Sequence, residues 1–463
     1  MRGVAALRML GPLLLSSALH AAQPPVPPAD DFVHVRGTEF TLRGAPYRFV
    51  GTNLWYAAWI GRSDGDDGSD VGTDGGADGG DRARVVRELD FLAANGITNL
   101  RLLGAAERSP LQNSMDPAIS YRGVVENESL LEGLDYFLDE MGKRDMKAVI
   151  FLNNFWEWSG GMVTYLYWVN GGEYVNLGDP AHPWPAFALF SAQFYSNRPA
   201  QALFRDYVST LLRRRNSVNG RLYRDDPVIM AWQLANEPRP GDGEVSRANL
   251  PAYYAWVRET AALIRELAPR QLISLGSEGL MGCLELDECF LGAHADTGVD
   301  YATFHIWPKN WRWFDAAQPG ANFDSAAART EDYISRHIEL ARRLGMPLVL
   351  EEFGMERDQG SLSPASTVQY RDRFFQTVFA RIEESARCGG PLVGSNFWAW
   401  GGFGSAQHDD GAWRPGDRSF VGDPPQEPQG LNSVFASDAS TLRMLRAHAK
   451  NLTVVELHPD DID

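Results

Sequence analysis

The sequence predicts an α/β protein with a (β/α)8 barrel in a single domain. Two observations carry this prediction: eight short apolar segments recur along the chain, and amphipathic helical segments separate most of them. Near-continuous apolar runs of this length are typical of parallel strands that helices cover on both faces. Two separate α/β domains would be the rival arrangement, but no linker-like break divides the chain.

The boundaries of the elements follow the local sequence pattern. The predicted strands are Tyr47–Trp55, Ile97–Leu103, Lys147–Asn154, Val228–Leu234, Leu272–Gly276, Tyr301–Trp307, Pro347–Glu352 and Leu392–Trp400. The predicted helices are Arg82–Asn95, Ser129–Arg144, Pro199–Asn216, Pro251–Ala268, Glu331–Leu344 and Thr367–Ala386. The first of these helices ends before Gly96, as a helix with a C′ glycine does. The link from the fifth strand to the sixth has no convincing helix.

Two segments interrupt the alternation of strands and helices. Residues 63–81 are almost all Asp and Gly, a composition that cannot bury a core, so we expect a solvated acidic loop. This loop lacks the ligand order of an EF-hand calcium site. Gly160–Asn197 follows the third strand and is rich in aromatic residues. We expect a long loop there that helps to build a binding site.

The N-terminus has the features of a signal peptide. Two arginines precede an apolar stretch from Met9 to Ala18, and small residues follow it. We predict a signal peptide over residues 1–22 and a Pro-rich leader over residues 23–30, ahead of the barrel domain over residues 31–455. The apolar stretch is too short to span a membrane, and no other run is long enough. The mature protein is expected to be exported, to the periplasm or as a secreted protein.

The amino-acid composition and the net charge argue against some classes of binding partner. The 463 residues are 44% hydrophobic and carry a net charge of −17, which argues against nucleic acid and anionic lipid as partners. A neutral polymer is compatible with that charge. The 14 Trp and 15 Tyr residues include enough aromatic faces for stacking on sugar rings, although large cores use aromatic residues as well.

Two of the three cysteines, Cys283 and Cys289, bracket five residues of a predicted loop. In an oxidising compartment this pair could form a small disulfide, and two free thiols are the alternative. Cys388 is the third cysteine. No His lies at ligand spacing from the pair, so a zinc site is not expected.

Two of the predicted strands end in a carboxylate. Glu237 follows the fourth strand, and Glu352 ends the seventh, directly before Phe353-Gly354. The C-terminal ends of the strands form the active-site face of a TIM barrel. Two acids at that face are what glycoside hydrolysis needs, one as proton donor and the other as nucleophile or base.

Local geometry predicts how these acids are presented. Pro238 restricts Glu237 to extended geometry, which aims its carboxyl group at the barrel mouth. Asn236 beside it could hydrogen-bond a sugar hydroxyl. Side chains alternate along a strand, so only one of Glu351 and Glu352 is expected to face the barrel axis. We expect Glu351 to point outward or to support the site from behind.

Seven motifs together give nearly the whole mature chain a resemblance to glycoside hydrolase family 5, and most closely to its mannan-degrading subfamily. They are Gly51-Thr52-Asn53-Leu54-Trp55, Asn99-Leu100-Arg101, Leu152-Asn153-Asn154-Phe155-Trp156, Asn236-Glu237-Pro238-Arg239, Phe304-His305-Ile306-Trp307-Pro308, Glu351-Glu352-Phe353-Gly354 and Phe397-Trp398-Ala399-Trp400. The resemblance implies that Glu237 is the acid/base and Glu352 the nucleophile. It also implies that Arg101 pairs with Glu352 and holds it ionised, since a nearby cation lowers a carboxylate pKa.

The resemblance implies further substrate contacts. Asn236 would bind the 2-hydroxyl of the sugar at the cleavage site, and His305 would contact the nucleophile or the substrate. Trp398 would lie beneath that sugar. Asn153 at the end of the third strand and Trp156 just after it are further candidates, with loop packing as the alternative for Trp156.

The chain departs from the family at Trp307. Family members usually have Tyr two residues after the His, where this chain has Trp307. A Tyr hydroxyl donates to the nucleophile, and an indole N–H donates from a different position. Trp307 is therefore a candidate donor, and a sugar platform is the alternative.

The resemblance implies a retaining endo-β-1,4-mannanase that acts on mannan or manno-oligosaccharides, as a monomer and without a cofactor or metal. An exo-β-mannosidase or mannobiose-releasing enzyme stays open, since Gly160–Asn197 could block one end of a cleft. A β-glucanase on the same scaffold also stays open. A non-catalytic sugar-binding protein would be expected to lack one of the two acids. No phosphate-binding or dinucleotide-binding glycine motif is present in the sequence.

Overall fold

The structure is a computed structural model that describes Met1, residues 30–63 and residues 80–454. The predicted signal peptide, Pro-rich leader and acidic Asp/Gly loop lie almost entirely outside these residues. Among the described helices, none combines the length and the apolar character that a membrane crossing needs.

Eight parallel strands form the barrel that the sequence predicts. They are β1 (Phe49–Asn53), β2 (Ile97–Leu103), β3 (Lys147–Phe151), β4 (Ile229–Gln233), β5 (Leu272–Ser274), β6 (Ala302–Ile306), β7 (Leu348–Phe353) and β8 (Leu392–Phe397). Strands that are consecutive in the chain are neighbours in the sheet, and β8 pairs with β1. A parallel bridge between Ser274 and Tyr301 joins β5 to the residue before β6 and closes the ring.

A principal helix follows each strand on the outside of the barrel. These helices are α1 (Gly80–Ala94), α2 (Glu128–Gly142), α3 (Arg198–Leu212), α4 (Leu250–Leu267), α5 (Asp287–His294), α6 (Pro319–Leu344), α7 (Gln369–Arg387) and α8 (Ala439–Val454). The link between β5 and β6, predicted to lack a helix, contains α5. Its eight residues are too few to show a clear amphipathic period. The sequence prediction also missed α8 and the first turns of α6.

Local signals fix several helix ends. Gly96, two residues after the last residue of α1, has a positive φ of 76°, which confirms the predicted C′ glycine. Before α3, the side chain of Asn197 accepts a hydrogen bond from the backbone N–H of Ala200 at 3.0 Å. Pro199 fills the first turn of that helix, where its missing N–H costs nothing.

Gly160–Asn197 is more ordered than the predicted loop. It contains helices at Gly161–Val169 and Ala186–Ser191, and a 3-10 turn at Ala192–Ser196. Tyr165 and Trp168 pack edge to face at 5.1 Å, and both are buried. The segment therefore buries its own aromatic residues, which is why a loop prediction based on length and composition is wrong.

A small antiparallel sheet closes the bottom of the barrel. Its strands are Val33–Arg36, Glu39–Leu42 and Ala45–Pro46. Phe40 from this sheet packs against Tyr301 edge to face at 5.2 Å, in one apolar cluster with Val149 and Val349 of the strands. Because this cluster fills the N-terminal end of the barrel, polar side chains higher in the barrel face the C-terminal end.

Cys283 and Cys289 form the predicted disulfide. Their Cα atoms are 5.5 Å apart, a normal separation for a disulfide. Met281 and Glu285, on either side of Cys283, line the pocket at the C-terminal end of the barrel. Cys388 is a free, exposed thiol at the end of α7.

Candidate active site

A pocket of about 510 Å³ opens at the C-terminal ends of the strands. Glu237 and Glu352 both line it, together with Trp307 and Trp398. A concave site of this size with aromatic walls and a few convergent polar groups is typical of small-molecule binding. The two acids that the sequence singles out therefore share one accessible space.

The two acids are close together and largely buried. One oxygen of Glu237, one oxygen of Glu352 and a ring nitrogen of His305 all lie within 4.8 Å of one another. These are also the atoms among the described residues that could ligate a metal ion. The guanidinium of Arg101 already supplies a positive charge to Glu352. The arrangement suits two carboxyl groups that act on one bond, one as proton donor and the other as nucleophile or base.

Arg101 on β2 makes contacts with four side chains around it. Its guanidinium donates to Glu352, to Asn53 Oδ1 at 3.0 Å, to Asn236 Oδ1 at 2.7 Å and to Gln233 Oε1 at 2.8 Å. Arg101 is fully buried, and so is most of each partner. A buried cation is tolerated only when it is paired and its donors are satisfied, and these contacts meet both conditions.

Burial and neighbouring charges determine which acid carries the proton. Burial raises the pKa of Glu237, and Arg239 is the main group that opposes this rise. Burial also raises the pKa of Glu352, against the guanidinium of Arg101, which lowers it. Like charges this close do not both ionise readily. Because the ion pair with Arg101 belongs to Glu352, the geometry assigns the negative charge to Glu352 and the proton to Glu237.

His305 on β6 lies between the two acids, where burial favours the neutral form of its ring. Its Nδ1 is 2.6 Å from an oxygen of Glu237 and 3.4 Å from an oxygen of Glu352. Burial lowers the pKa of His305 well below its usual range. A neutral ring with one protonated nitrogen can bond either acid without adding a charge.

Two indole groups complete the hydrogen bonding of the acids. Trp307 donates its N–H to Glu352 at 3.2 Å, which is the contact that the donor alternative for this departure from the family pattern requires. Trp156 donates its N–H to Glu237 at 2.6 Å. Trp398 packs edge to face against Trp307 at 5.9 Å and forms part of the pocket wall. Trp156 therefore contacts an acid directly and is more than loop packing.

The backbone of Glu237 differs from the predicted extended geometry. Its φ is +48°, in the left-handed region that L residues other than Asn and Asp rarely adopt. Its N–H donates to the carbonyl of Gly276 at 2.9 Å, which anchors the turn to the segment after β5. The expectation drawn from Pro238 is wrong because tertiary hydrogen bonding overrides the local preference. Strained backbone of this kind is often found at functional sites.

Glu351 and Glu352 both lie inside the barrel, which contradicts the prediction that only one of them does. In the pairing of β6 with β7, Phe304 lies opposite Leu350 and His305 lies opposite Glu352, so Glu351 is an extra residue. Such a bulge breaks the alternation of side chains along a strand. Both carboxylates consequently approach Arg101, at 3.9 Å in the case of Glu351.

Three of the predicted site residues, Arg101, His305 and Asn153, are not part of the pocket wall. Arg101 and His305 still bond the two acids, whereas Asn153 bonds the backbone beside it. The side-chain oxygen of Asn153 accepts from the backbone N–H of Asn154 at 2.8 Å, so it shapes the local backbone. The side chain of Asn154 instead accepts from Asn236 at 3.1 Å. Adjacent residues at a strand end point in different directions, and the sequence did not show which of the two asparagines supports the site.

Sequence reasoning missed part of the pocket wall. Glu278, just after β5, is buried and forms an ion pair with Arg239. The Arg239 guanidinium also lies over the ring of Trp156 at 5.0 Å and over that of half-exposed Trp184 at 5.9 Å. The available signal for Glu278 was an acid two residues past the end of the predicted strand Leu272–Gly276. Glu427, from the long segment after β8, lines another part of the pocket.

Comparisons with known proteins find relatives that cover most of the chain. The family model for β-mannosidase-like proteins of glycoside hydrolase family 5 matches residues 30–457. Mannan endo-1,4-β-mannosidase 1 of Arabidopsis thaliana is 30% identical over 381 residues, which are 79% of this chain and 81% of that protein. The crystal structure of a family 5 mannosidase from Rhizomucor miehei is 33% identical, with a TM-score of 0.79, covering 92% of this chain and 98% of the other. A mutant of that mannosidase in complex with mannosyl-fructose superposes with a TM-score of 0.80, at the same identity and coverage.

The contacts of Arg101 predict a pH-dependent loss of stability in Arg101→Met. Removing one partner of a buried pair costs about 3–5 kcal/mol, because Glu352 and Glu351 then lack a buried cation. Without that cation their pKa values rise further in the folded state, so the folded chain binds more protons than the unfolded chain. Its stability is then lost as the pH rises. We expect the deficit in the free energy of unfolding to be larger at pH 8 than at pH 5.

Urea unfolding of the variant and the wild type at both pH values measures this effect. Arg43→Met is the matched control, because Arg43 forms half-exposed ion pairs with Asp31 and Asp145. It should change the free energy of unfolding by no more than about 1 kcal/mol. A deficit for Arg101→Met that is the same at pH 5 and pH 8 would show that the carboxylates do not depend on Arg101.

Proposed function

Because this chain belongs to glycoside hydrolase family 5, with its β-mannosidase-like members, we propose that it is a retaining hydrolase of β-1,4-linked mannan and manno-oligosaccharides. One observation carries the proposal: two buried carboxyl groups approach within 4.8 Å at the ends of β4 and β7. Retaining glycosidases hold their two carboxyl groups about 5 Å apart, whereas inverting enzymes keep them about 6.5–9.5 Å apart to admit a water molecule. The relatives that are named mannan endo-1,4-β-mannosidases support the substrate class.

In the proposed reaction, Glu352 attacks the anomeric carbon while Glu237 protonates the departing glycosidic oxygen. Glu237, now a carboxylate, then removes a proton from water, which releases the mannosyl group from Glu352. Arg101 and Trp307 hold the attacking carboxylate by hydrogen bonds to its two oxygens. The proton balance closes because Glu237 gives up one proton in the first step and regains one in the second.

The surrounding residues have supporting roles in the proposal. Trp398 forms the wall on which the sugar at the cleavage site rests, as an aromatic face suits the apolar face of a sugar ring. Asn236, fixed by Arg101 and Asn154, presents its amide to that sugar. The aromatic group of Trp156 and Trp184, with Arg239, lies on the Glu237 side, where the leaving sugar would be bound.

Internal cleavage is the leading mode, because mannan endo-1,4-β-mannosidases are among the relatives. Exo action is a second candidate, and one observation favours it. Pro424, Gln426 and Glu427 from the segment after β8 line the same pocket as the two acids. A wall there is suited to holding a chain end. The matching family model is itself described as β-mannosidase-like.

Export is part of the same proposal. The disulfide between Cys283 and Cys289 supports it, since disulfides persist in oxidising compartments such as the periplasm or the extracellular space. The protein is proposed to act there as a monomer on a neutral polysaccharide.

Product analysis on mannohexaose beside polymeric mannan tests the proposed function. Endo action predicts oligosaccharides of several lengths in the first minutes, with an early fall in the viscosity of the polymer solution. Mannose alone from the first time point would indicate the exo mode instead. No release of reducing sugar from either substrate, or release from cellulose and not from mannan, would contradict the proposal.

The role of Glu237 predicts a dependence on the leaving group. In Glu237→Ala we expect about a thousandfold loss of turnover on mannotriose, whose leaving group needs a proton, and a much smaller effect on glycosyl transfer from a dinitrophenyl β-mannoside. Azide should restore turnover of the aryl substrate and give a β-mannosyl azide.

Glu352→Ala is the matched control for that experiment. It should lose turnover on both substrates, and any azide product should have the α configuration because no covalent intermediate forms. Equal losses on both substrates in Glu237→Ala would contradict the acid/base role of Glu237. An α-azide from that variant would reverse the assigned roles, because it would show that Glu237 is the nucleophile.

A further inference from the structure

Glu351 is a buried acid that the proposed reaction does not use. The bulge in β7 turns it into the barrel beneath Glu352, and its side chain is only 1% exposed. An isolated buried carboxylate is costly unless its oxygens have donors. The contacts of Glu351 therefore show which groups stabilise its carboxylate inside the barrel.

Neutral groups supply the hydrogen bonds to Glu351. Gln233 donates its amide N–H to Oε2 of Glu351 at 2.5 Å, and the Tyr301 hydroxyl approaches Oε1 at 3.4 Å. The Nε of Arg101 is 3.9 Å from Oε2, which is an ion-pair distance without a hydrogen bond. The carboxylate thus acts on Arg101 through its charge and through Gln233.

The amide of Gln233 joins the two charged groups in one orientation. Its Nε2 donates to Glu351 and to Ser274, while its Oε1 accepts from the Nε of Arg101 at 2.8 Å. A carboxylate only accepts hydrogen bonds, and a guanidinium only donates them. Reversing the amide would place donor against donor at Arg101 and acceptor against acceptor at Glu351.

We propose that Glu351 is a positioning residue, whose carboxylate fixes the Gln233 amide so that the amide oxygen holds Arg101 against Glu352. The backbone supports the same alignment, because Asn53 donates to the carbonyl of Glu351 at 2.8 Å and accepts from Arg101 through its side-chain oxygen. This inference rests on the proposed function, since it assigns Glu352 as the attacking group.

The ionisation of Glu351 provides a readout of this role. Burial raises the pKa of Glu351 to about 7, against Arg101, Gln233 and Tyr301, which lower it. The charged and titratable groups that face it are Arg101 from β2, Tyr301 beside β6 and Glu352 on its own strand. Below this pKa the carboxyl group is protonated, so the negative charge that strengthens its hold on the Gln233 amide and on Arg101 is lost. Activity that depends on the carboxylate should therefore fall as the pH decreases through this range.

Glu351→Gln and Glu351→Leu separate the charge from the hydrogen bond. Glu351→Gln can still offer an oxygen to Gln233, so we expect kcat on mannotriose within about tenfold of the wild type. Its acid limb should move to lower pH by about one unit, because the titrating group and its negative charge are both gone. Glu351→Leu removes the acceptor as well, and we expect kcat to fall about a hundredfold with KM changed no more than about twofold.

Glu107→Gln is the matched control. Glu107 is also fully buried, burial raises its pKa to about 7 as well, and its side chain accepts from the backbone N–H of Gly161. It should keep the wild-type kcat and the wild-type acid limb. Thermal unfolding of each variant establishes that it is folded.

The decisive result is the pH profile of Glu351→Gln, the variant with the same shape as the native side chain. An acid limb that coincides with the wild type, or that moves equally in Glu107→Gln, would overturn the positioning role. So would a folded Glu351→Leu with kcat within twofold of the wild type. A wild-type enzyme that does not cleave mannotriose or mannan would instead contradict the proposed function, so the two failures are distinguishable.

Discussion

The buried contact between Arg101 and Glu352 is the interaction on which the rest of the site depends. A guanidinium inside a barrel requires acceptors, and strands β1, β4 and β7 supply them, together with Asn236 just after β4. These acceptors fix the positions of Asn53, Gln233 and Asn236 around the charge. The pair also determines the proton balance, because the acid that Arg101 contacts carries the charge and its neighbour keeps the proton. Fold, charge and proposed chemistry therefore depend on one side chain.

The surroundings keep that interaction strong. The antiparallel sheet around Phe40 fills the bottom of the barrel, and the indoles of Trp156, Trp307 and Trp398 enclose the acids from above. Electrostatic interactions are stronger where water is excluded, so the same burial that raises the pKa of Glu237 strengthens the hold of Arg101 on its partner.

Sequence reasoning predicted the barrel, its eight strands and the two acids, because apolar strands that end in polar residues are a local signal. It could not predict features that depend on distant contacts. The left-handed backbone of Glu237 follows from its hydrogen bond to the segment after β5, and the inward position of Glu351 follows from a bulge in strand pairing. Glu427 joins the pocket from a loop whose path the sequence does not encode in any short motif. The short helix α5 gave too little periodicity to be recognised.

The central claim is that Glu352 forms a covalent bond to the sugar while Arg101 holds its charge and Glu237 handles the proton. Proton NMR of mannotriose hydrolysis tests this claim most directly, because it reports the anomer that forms before mutarotation. Two displacements at the same carbon predict that the newly formed reducing end appears first as the β-anomer, with the α-anomer growing in later. If the α-anomer appeared first, the reaction would be a single displacement by water, and the account of this acid pair would be wrong.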